Sequence, residues 1–350
     1  MTRRVALFVL AVLTTLAITL MTVWASLAIY YSNLTDAWLR AALAILFSVL
    51  TLCAFAFLRN RRRTLVGFLV VFCAVAAWWA MIPPSNDRDW RPEVAVLPYA
   101  TVAGDMVTIH NIRNLDYRTE TDFQPRYYDK TLDLSKLDSL DLIAVYWMGD
   151  AIAHVMMSFG FGGKDFVAFS IETRTEKGEG YSTIKGFFKQ FEITYIAGDE
   201  RDLIRVRTDF RNPREDVYIF RTRARPERVR LLFMEYVKEI NRLKAKPEFY
   251  NTLTTNCTVN VVRHVRAFGV NLRYSWKVLL SGYLPRYVYD LGGLDSRLPF
   301  DELKRRGYVN PRANAIGNDP DFSRKIREGL PVPARAAPRT ETGDGAPTKN

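Results

Sequence analysis

The sequence predicts a membrane-anchored protein of the α+β class, and three observations carry that prediction. Three long apolar runs follow one another within residues 1–84. Short apolar or alternating segments typical of β-strands come next, and patterns with the helical period follow them. Strands followed by late helices indicate an α+β domain. We therefore expect an anchor at residues 1–84, a folded domain at 85–330 and, because Pro, Ala, Thr and Gly dominate there, a disordered tail at 331–350.

The apolar runs at residues 5–31, 38–58 and 65–82 are each about long enough to cross the roughly 30 Å hydrocarbon core of a bilayer as a helix. Basic residues lie before the first run and between the second and third, whereas the first loop has none. The positive-inside rule then places the N-terminus in the cytoplasm and everything after about Pro83 on the far side. A cleaved signal peptide is the alternative for the first run, but its length and the two later runs favour a span.

The net charge of +12 is unevenly distributed. Residues 1–84 hold seven Lys or Arg and a single acid, so the larger C-terminal part is only mildly basic. Nucleic-acid binding is a weak interpretation because no recognised motif accompanies the charge, and anionic lipid headgroups explain it at least as well. The three histidines and the single cysteine beyond the anchor do not form a recognisable metal site, and no cofactor is expected.

The domain after the anchor is expected to contain several strands and late helices. Strands are predicted at residues 106–112, 142–148, 151–159, 166–172, 192–196, 203–208 and 217–221. The polar and aromatic stretch at 113–130 is expected to be a long ordered loop, and 182–190 a short helix or loop. Helices are predicted at residues 226–243, after Cys257, around 284–291 and at 301–306.

Cys257 is the first candidate for a functional group. Polar residues precede it and a helical pattern follows it, so Thr255 or Asn256 is a plausible N-cap and Cys257 falls in the first turn. The positive end of the helix dipole favours the nucleophilic thiolate there. The alternative is a small buried side chain with no chemistry. Asn256-Cys257-Thr258 also matches a glycosylation sequon, a short pattern to which we give little weight.

A cysteine nucleophile needs a base and a group that orients the base, and His154 is the best placed of the histidines. Glycine-rich turn chemistry centred near Gly163 predicts a hairpin in which position 154 pairs with Glu172. A register shift of one residue would place the two on opposite faces, and Glu172 pairing with Arg174 or Arg205 is the alternative. His264, two helical turns after Cys257, is expected to be a surface or packing residue, and His110 has no arguable partner.

Several stretches together resemble one known family. VTIHNIRNLDYRTETDFQPRYYDK, YWMGDAIAHVMMSFGF, FSIETR and TTNCTVN look like the Lnb N-terminal periplasmic domain family. That family is similar to circularly permuted papain-like, NlpC-type thiol enzymes, which implies a central antiparallel sheet. The resemblance makes Cys257 the nucleophile, His154 the base and Glu172 the orienting residue. It implies a bacterial inner-membrane protein with a periplasmic thiol domain, although this chain has its spans before that domain.

The main functional hypothesis is a membrane-anchored acyltransferase or lipid-ester hydrolase that works through a Cys257 thioester, with phospholipid and lipoprotein as substrates. Asn256, Arg113 and Tyr117 are candidate substrate contacts, although surface or core roles are about as plausible for the last two. The alternatives are an NlpC-type amidase or peptidase acting on cell-wall peptides, and a non-catalytic binding domain.

Overall fold

The structure is a computed structural model that describes residues 2–266 and 275–334. The described chain divides into two compact units. Unit 1 comprises the chain up to Arg91 with Thr173–Ile193 and Lys246–Asn256, and unit 2 comprises Pro92–Glu172, Thr194–Ala245 and the described residues from Cys257 onward. The domain boundaries drawn from the sequence stay predictions. Most of the predicted tail, residues 335–350, lies outside the described residues.

Unit 1 is built on helices that fit the predicted spans. Among the described residues, three helices are long and apolar enough to cross a membrane. They are α1 (Thr2–Tyr30), α2 (Ala37–Phe57) and α3 (Arg61–Met81). Asp36 accepts hydrogen bonds from the first N–H groups of α2, and Asn60 accepts one from the N–H of Arg63 in α3. Each short loop therefore ends in an N-cap residue, which stabilises the start of the next helix.

The ends of α1 and α3 are held by a later segment of unit 1. The Lys189 ammonium donates to the carbonyl oxygens of Trp79, Ala80 and Ile82 at 2.9–3.2 Å. The Gln190 side chain donates to the Tyr31 carbonyl at 2.7 Å. A helix leaves its last carbonyl groups unsatisfied and carries partial negative charge there, so a cation and an amide donor are well matched to these positions.

Unit 2 is organised around a mainly antiparallel sheet. Its strands are β1 (Tyr99–Ala103), β2 (Met106–Arg113), β5 (Tyr127–Asp133), β6 (Leu137–Met148), β7 (Ile152–Phe161), β8 (Asp165–Arg174), β9 (Glu192–Gly198) and β10 (Asp216–Arg221). Their order within the described residues is β1-β2-β9-β8-β7-β6-β10, with β5 also pairing with β2. The β2–β9 pair is parallel. A small separate ladder joins β3 (Asp116–Tyr117) to β4 (Phe123–Gln124).

Helices cover both faces of the sheet. They are α4 (Glu200–Arg205), α5 (Pro226–Ala245), α6 (Cys257–Arg266), α7 (Trp276–Leu279), α8 (Leu284–Asp290), α9 (Phe300–Gly307), α10 (Asn310–Ile316) and α11 (Phe322–Lys325). On one face, Phe159 packs edge-on against Phe233 of α5 with ring centroids 5.2 Å apart. On the other, Met156 and Ala168 join an apolar core with Leu203 of α4. The α+β class with a central, mainly antiparallel sheet is thus confirmed.

Two of the predicted elements are wrong. Residues 203–208 were predicted to be a strand, but they form the end of α4 and a π-helical turn, Val206–Phe210. The Asp199 carboxylate accepts from the N–H of Arg201 at 2.9 Å and so starts a helix. The predicted loop at 113–130 contains β3, β4 and the start of β5. Its backbone groups pair in short ladders, Asp116 with Gln124 and Tyr127 with Arg113.

Candidate thiol site

The β7–β8 hairpin has the register that the sequence predicts. Gly162 and Gly163 take φ values of +59° and +67°, a backbone conformation that favours glycine, and so close the turn. Met156 pairs with Ser170 across the strands, which centres the hairpin on Gly163. Side chains alternate between faces, so the face that carries Met156 also carries His154, and Ser170 shares its face with Glu172. The hairpin therefore brings these polar groups together at one end of the apolar core.

A serine hydroxyl lies between the histidine and the glutamate. His154 Nε2 is 2.6 Å from Ser170 Oγ, and that hydroxyl donates to Glu172 Oε1 at 2.7 Å. The direct separation from His154 Nε2 to Glu172 Oε1 is 3.9 Å. The sequence predicted that Glu172 orients the imidazole directly, but the two do not form a direct hydrogen bond. The hydroxyl of Ser170 lies within hydrogen-bonding distance of His154 instead.

Arg207 binds the same oxygen of the Glu172 carboxylate as Ser170 does. Its Nη2 donates to Glu172 Oε1 at 3.2 Å, and the guanidinium is buried. Burial by itself would raise the pKa of Glu172, but the charges of Arg207 and Arg113 outweigh it and place the pKa well below its usual range. The carboxylate is therefore ionised, and an ionised carboxylate only accepts hydrogen bonds.

This polarity fixes the tautomer of His154. Ser170 must donate its proton to Glu172, so its oxygen accepts the proton on Nε2 of His154. Nδ1 then carries a free lone pair. Burial, with the charge of Arg207, lowers the pKa of His154 to about 3, so the imidazole is neutral at neutral pH. A neutral imidazole with an unprotonated Nδ1 can act as a base.

The Cys257 thiol lies against the backbone beside His154. Cys257 is the first residue of α6, as predicted, and its side chain is half-buried. Backbone hydrogen-bonding groups of Val155, Thr258 and Cys257 itself act on the sulfur, and Val155 directly follows His154 in β7. The Thr258 hydroxyl is 3.7 Å from the sulfur. The structure thus places the predicted nucleophile close to the backbone of the residue that follows the predicted base, and within the described residues no hydrogen bond joins the Cys257 sulfur to His154.

The thiol is not the preformed thiolate that its helix position suggested. Burial raises the pKa of Cys257, and this effect exceeds the opposite effect of the nearby Thr258 hydroxyl and backbone groups. The resting pair is therefore a neutral thiol with a neutral imidazole. Such a pair moves the proton during attack on a substrate instead of before it.

The remaining candidates have other contacts. Arg113 is buried in a two-pronged ion pair with Asp202 at 2.9 and 3.0 Å, and Tyr117 donates to the same carboxylate at 3.1 Å. These bonds occupy the groups that were expected to bind substrate, and Arg113 acts on the site through the Glu172 charge instead. Asn256 belongs to unit 1, where its amide donates to the Thr252 carbonyl at 2.7 Å.

Three residues near the candidate site are not among those that the sequence predicts. Ser170 is two residues before Glu172 and so shares its face, which is a signal that the strand pattern offered. Arg207 comes from the π-helical turn, which the sequence did not predict. Tyr236 of α5 is fully buried; within the described residues its hydroxyl has no hydrogen-bond partner, and Cys257 is among the groups that raise its pKa. Its hydroxyl therefore lies within electrostatic reach of the thiol.

The other two histidines lie elsewhere. His264 is buried and packs on Tyr236 with ring centroids 4.8 Å apart. Its Nε2 forms a hydrogen bond of 2.8 Å with the Tyr195 hydroxyl. It is a packing residue, as expected. His110 stacks on Tyr99 and places Nδ1 2.6 Å from an Asp129 oxygen.

Comparison with known proteins adds one finding. Residues 123–282 match the model of a family described as the Lnb N-terminal periplasmic domain. The matched stretch includes the β7–β8 hairpin, Ser170, Arg207 and Cys257. No curated protein and no solved structure matches the chain.

Proposed function

Because residues 123–282 belong to the Lnb N-terminal periplasmic domain family, we propose that this membrane protein is a thiol acyltransferase or lipid-ester hydrolase with Cys257 as its nucleophile. One observation supports this most strongly. Cys257 begins α6, which packs on β7, and the pKa of its thiol responds to the backbone of Val155, the residue that follows His154, whose tautomer is set by Ser170 and the ionised Glu172. A nucleophile, a base and an orienting group in this order are what covalent catalysis requires.

The proposed first half-reaction forms a thioester. As the Cys257 sulfur attacks the carbonyl carbon of an acyl ester, His154 Nδ1 takes the thiol proton. The charge that develops on the imidazole is stabilised through Ser170 by Glu172, with which His154 already has a favourable electrostatic interaction. Backbone N–H groups at the start of α6 stabilise the oxyanion. The carbon–oxygen bond then breaks, and the leaving alkoxide takes the proton from His154.

The proposed second half-reaction releases the acyl group. An acceptor amine or water attacks the thioester carbonyl and transfers a proton to His154. The carbon–sulfur bond breaks, and the Cys257 thiolate regains that proton. With an amine such as the N-terminus of a lipoprotein the product is an amide, and with water it is a free fatty acid. The apolar helices of unit 1 motivate a lipid donor because they keep the chain at a bilayer.

Intact-mass analysis of the full-length protein in phospholipid tests this function. After incubation with a phospholipid of one defined acyl chain, wild type is expected to gain one acyl mass that hydroxylamine removes. Cys257→Ala should gain none. The Cys53→Ala/Cys73→Ala double variant is the matched control and should gain the same mass as wild type. Release of peptide fragments from purified cell wall, with no acyl adduct on wild type, would point to an amidase instead.

A further inference from the structure

The loop between α2 and α3 carries a positive charge that the protein does not neutralise. Arg59, Arg61, Arg62 and Arg63 are exposed, and none of them forms an ion pair with any described residue. No Asp or Glu occurs between residues 37 and 86. Four cations at the end of two apolar helices therefore need counterions from outside the chain.

An apolar groove begins at this loop and runs between α2 and α3. Its volume is about 610 Å³, within the roughly 300–1,000 Å³ of typical ligand sites. Arg59, Asn60 and Arg63 line one end, and the walls beyond them are mostly hydrocarbon. The apolar walls include Leu50, Ala54, Phe55, Leu58, Phe68 and Val71. Gly67 lies along the groove and faces open space, because a Cβ atom built on it meets nothing within 4 Å.

We propose that this groove binds a phospholipid with a net negative headgroup. Its phosphate contacts Arg59 and Arg63, and an acyl chain lies along Phe55 and Phe68. The chemistry of the two ends selects this occupant. A guanidinium pairs with phosphate through two parallel hydrogen bonds, whereas the apolar wall offers contacts only to hydrocarbon. The site is distinct from the thiol site of unit 2 and does not rest on the proposed function.

Native mass spectrometry of the full-length protein, released from detergent after exposure to phosphatidylglycerol or phosphatidylcholine, tests the proposal. Wild type is expected to retain one phosphatidylglycerol in preference to phosphatidylcholine. Each basic residue near an anionic lipid strengthens binding about fivefold, so Arg59→Gln/Arg63→Gln should weaken phosphatidylglycerol retention roughly thirtyfold. Arg3→Gln/Arg4→Gln removes the same charge outside the groove and should retain the lipid as wild type does.

A variant that changes shape without changing charge separates a groove from a charged surface. Gly67→Leu fills the open space with a good helix former and leaves all four arginines in place. It should lose phosphatidylglycerol about as strongly as the double arginine variant does, while circular dichroism shows unchanged helix content. Retention of phosphatidylglycerol by Gly67→Leu at the wild-type level, or equal retention of both lipids by wild type, would overturn the proposal. So would loss in Arg3→Gln/Arg4→Gln equal to that in Arg59→Gln/Arg63→Gln.

Discussion

Two histidines of unit 2, His154 partly buried and His264 buried, each have a hydroxyl partner but differ in the groups beyond it. His154 and His264 are both buried enough that their pKa values fall to about 3 and about 4. Each has Nε2 within hydrogen-bonding distance of a hydroxyl, Ser170 at 2.6 Å and Tyr195 at 2.8 Å. A lowered pKa and a hydroxyl partner therefore do not distinguish the candidate base His154 from the packing residue His264.

The two histidines differ in the groups that lie beyond their hydroxyl partners. Ser170 donates to an ionised carboxylate held by Arg207, and the backbone of the residue after His154 is among the groups that lower the pKa of the Cys257 thiol against the effect of burial. His264 instead packs between the aromatic rings of Tyr195 and Tyr236. We propose that the carboxylate linked through Ser170, together with a thiol near the same strand, makes His154 the base, and paired substitutions can test this.

The largest expected contrast is between His154→Gln and His264→Gln. General-base catalysis contributes about 10²–10⁴ in rate, so His154→Gln should slow formation of the Cys257 acyl adduct by that factor. The His264→Gln rate should stay within about threefold of wild type, because His264 is not next to the thiol in our account. The rates are measured by quenched-flow mass spectrometry on the two full-length variants. Equal decreases of the acylation rate in both variants would show that His154 has no special role in forming the adduct.

The hydroxyl partners give a smaller contrast. Ser170→Ala leaves the imidazole without its link to Glu172, and loss of such an orienting contact typically costs about 10–100-fold in activity. Tyr195→Phe removes the matching hydroxyl from His264 and should leave the acylation rate unchanged. It should lower the free energy of unfolding by about 1 kcal/mol, the usual net contribution of one hydrogen bond. An unchanged rate in Ser170→Ala would show that the serine is not an orienting residue.

The two histidines should contribute alike to the pH dependence of stability. Their folded pKa values lie below the ordinary value of 6.5, so the unfolded chain takes up these protons first as the pH falls. Their stabilising contribution is complete above pH about 6.5 and is lost as the pH falls toward about 4 and 3. The depressed pKa of Glu172 acts in the same direction at lower pH. Denaturant unfolding between pH 7 and pH 4.5 should show a loss of stability that each His→Gln variant reduces by about 2 kcal/mol. An equal loss of unfolding free energy between pH 7 and pH 4.5 in wild type and in both variants would contradict the lowered pKa values of His154 and His264.

The smallest expected effect concerns the resting thiol. Because burial raises the pKa of Cys257, iodoacetamide should alkylate it several-fold more slowly at pH 7 than it alkylates a free thiol. The rate should still be rising at pH 9. The measurement uses the Cys53→Ala/Cys73→Ala background so that only Cys257 reacts. Fast alkylation at pH 7, with a rate that no longer increases at higher pH, would indicate a preformed thiolate instead.

The parts of this site that are predictable from sequence are the local ones. Turn chemistry at Gly162 and Gly163 sets the hairpin register, and the register places His154 near Glu172 without any long-range assumption. The start of α6 at Cys257 follows from the polar residues before it. Ser170 was also predictable from local sequence, because side-chain alternation along β8 places it on the same face as Glu172. It was missed because only His154 and Glu172 were considered.

The non-local parts were not predictable in the same way. Arg207 reaches Glu172 from a π-helical turn across 35 positions of sequence, in a segment whose apolar alternation indicated a strand. The pKa of Cys257 depends on how deeply the fold buries the sulfur, and the position of Cys257 at the start of a helix does not reveal that burial. Arg113 was a candidate substrate contact, with surface or core roles about as plausible, and its ion-pair partner Asp202 lies 89 positions later in the chain. Long-range packing decided each of these outcomes.

The most direct test of the central claim is the site of acylation and its dependence on the two histidines. Tandem mass spectrometry of the full-length protein after incubation with phospholipid locates the acyl group within the chain. Our account predicts an acyl thioester on Cys257 in wild type and in His264→Gln, formed at least a hundredfold more slowly in His154→Gln. An acyl group on another residue, or equal rates in the two histidine variants, would contradict it.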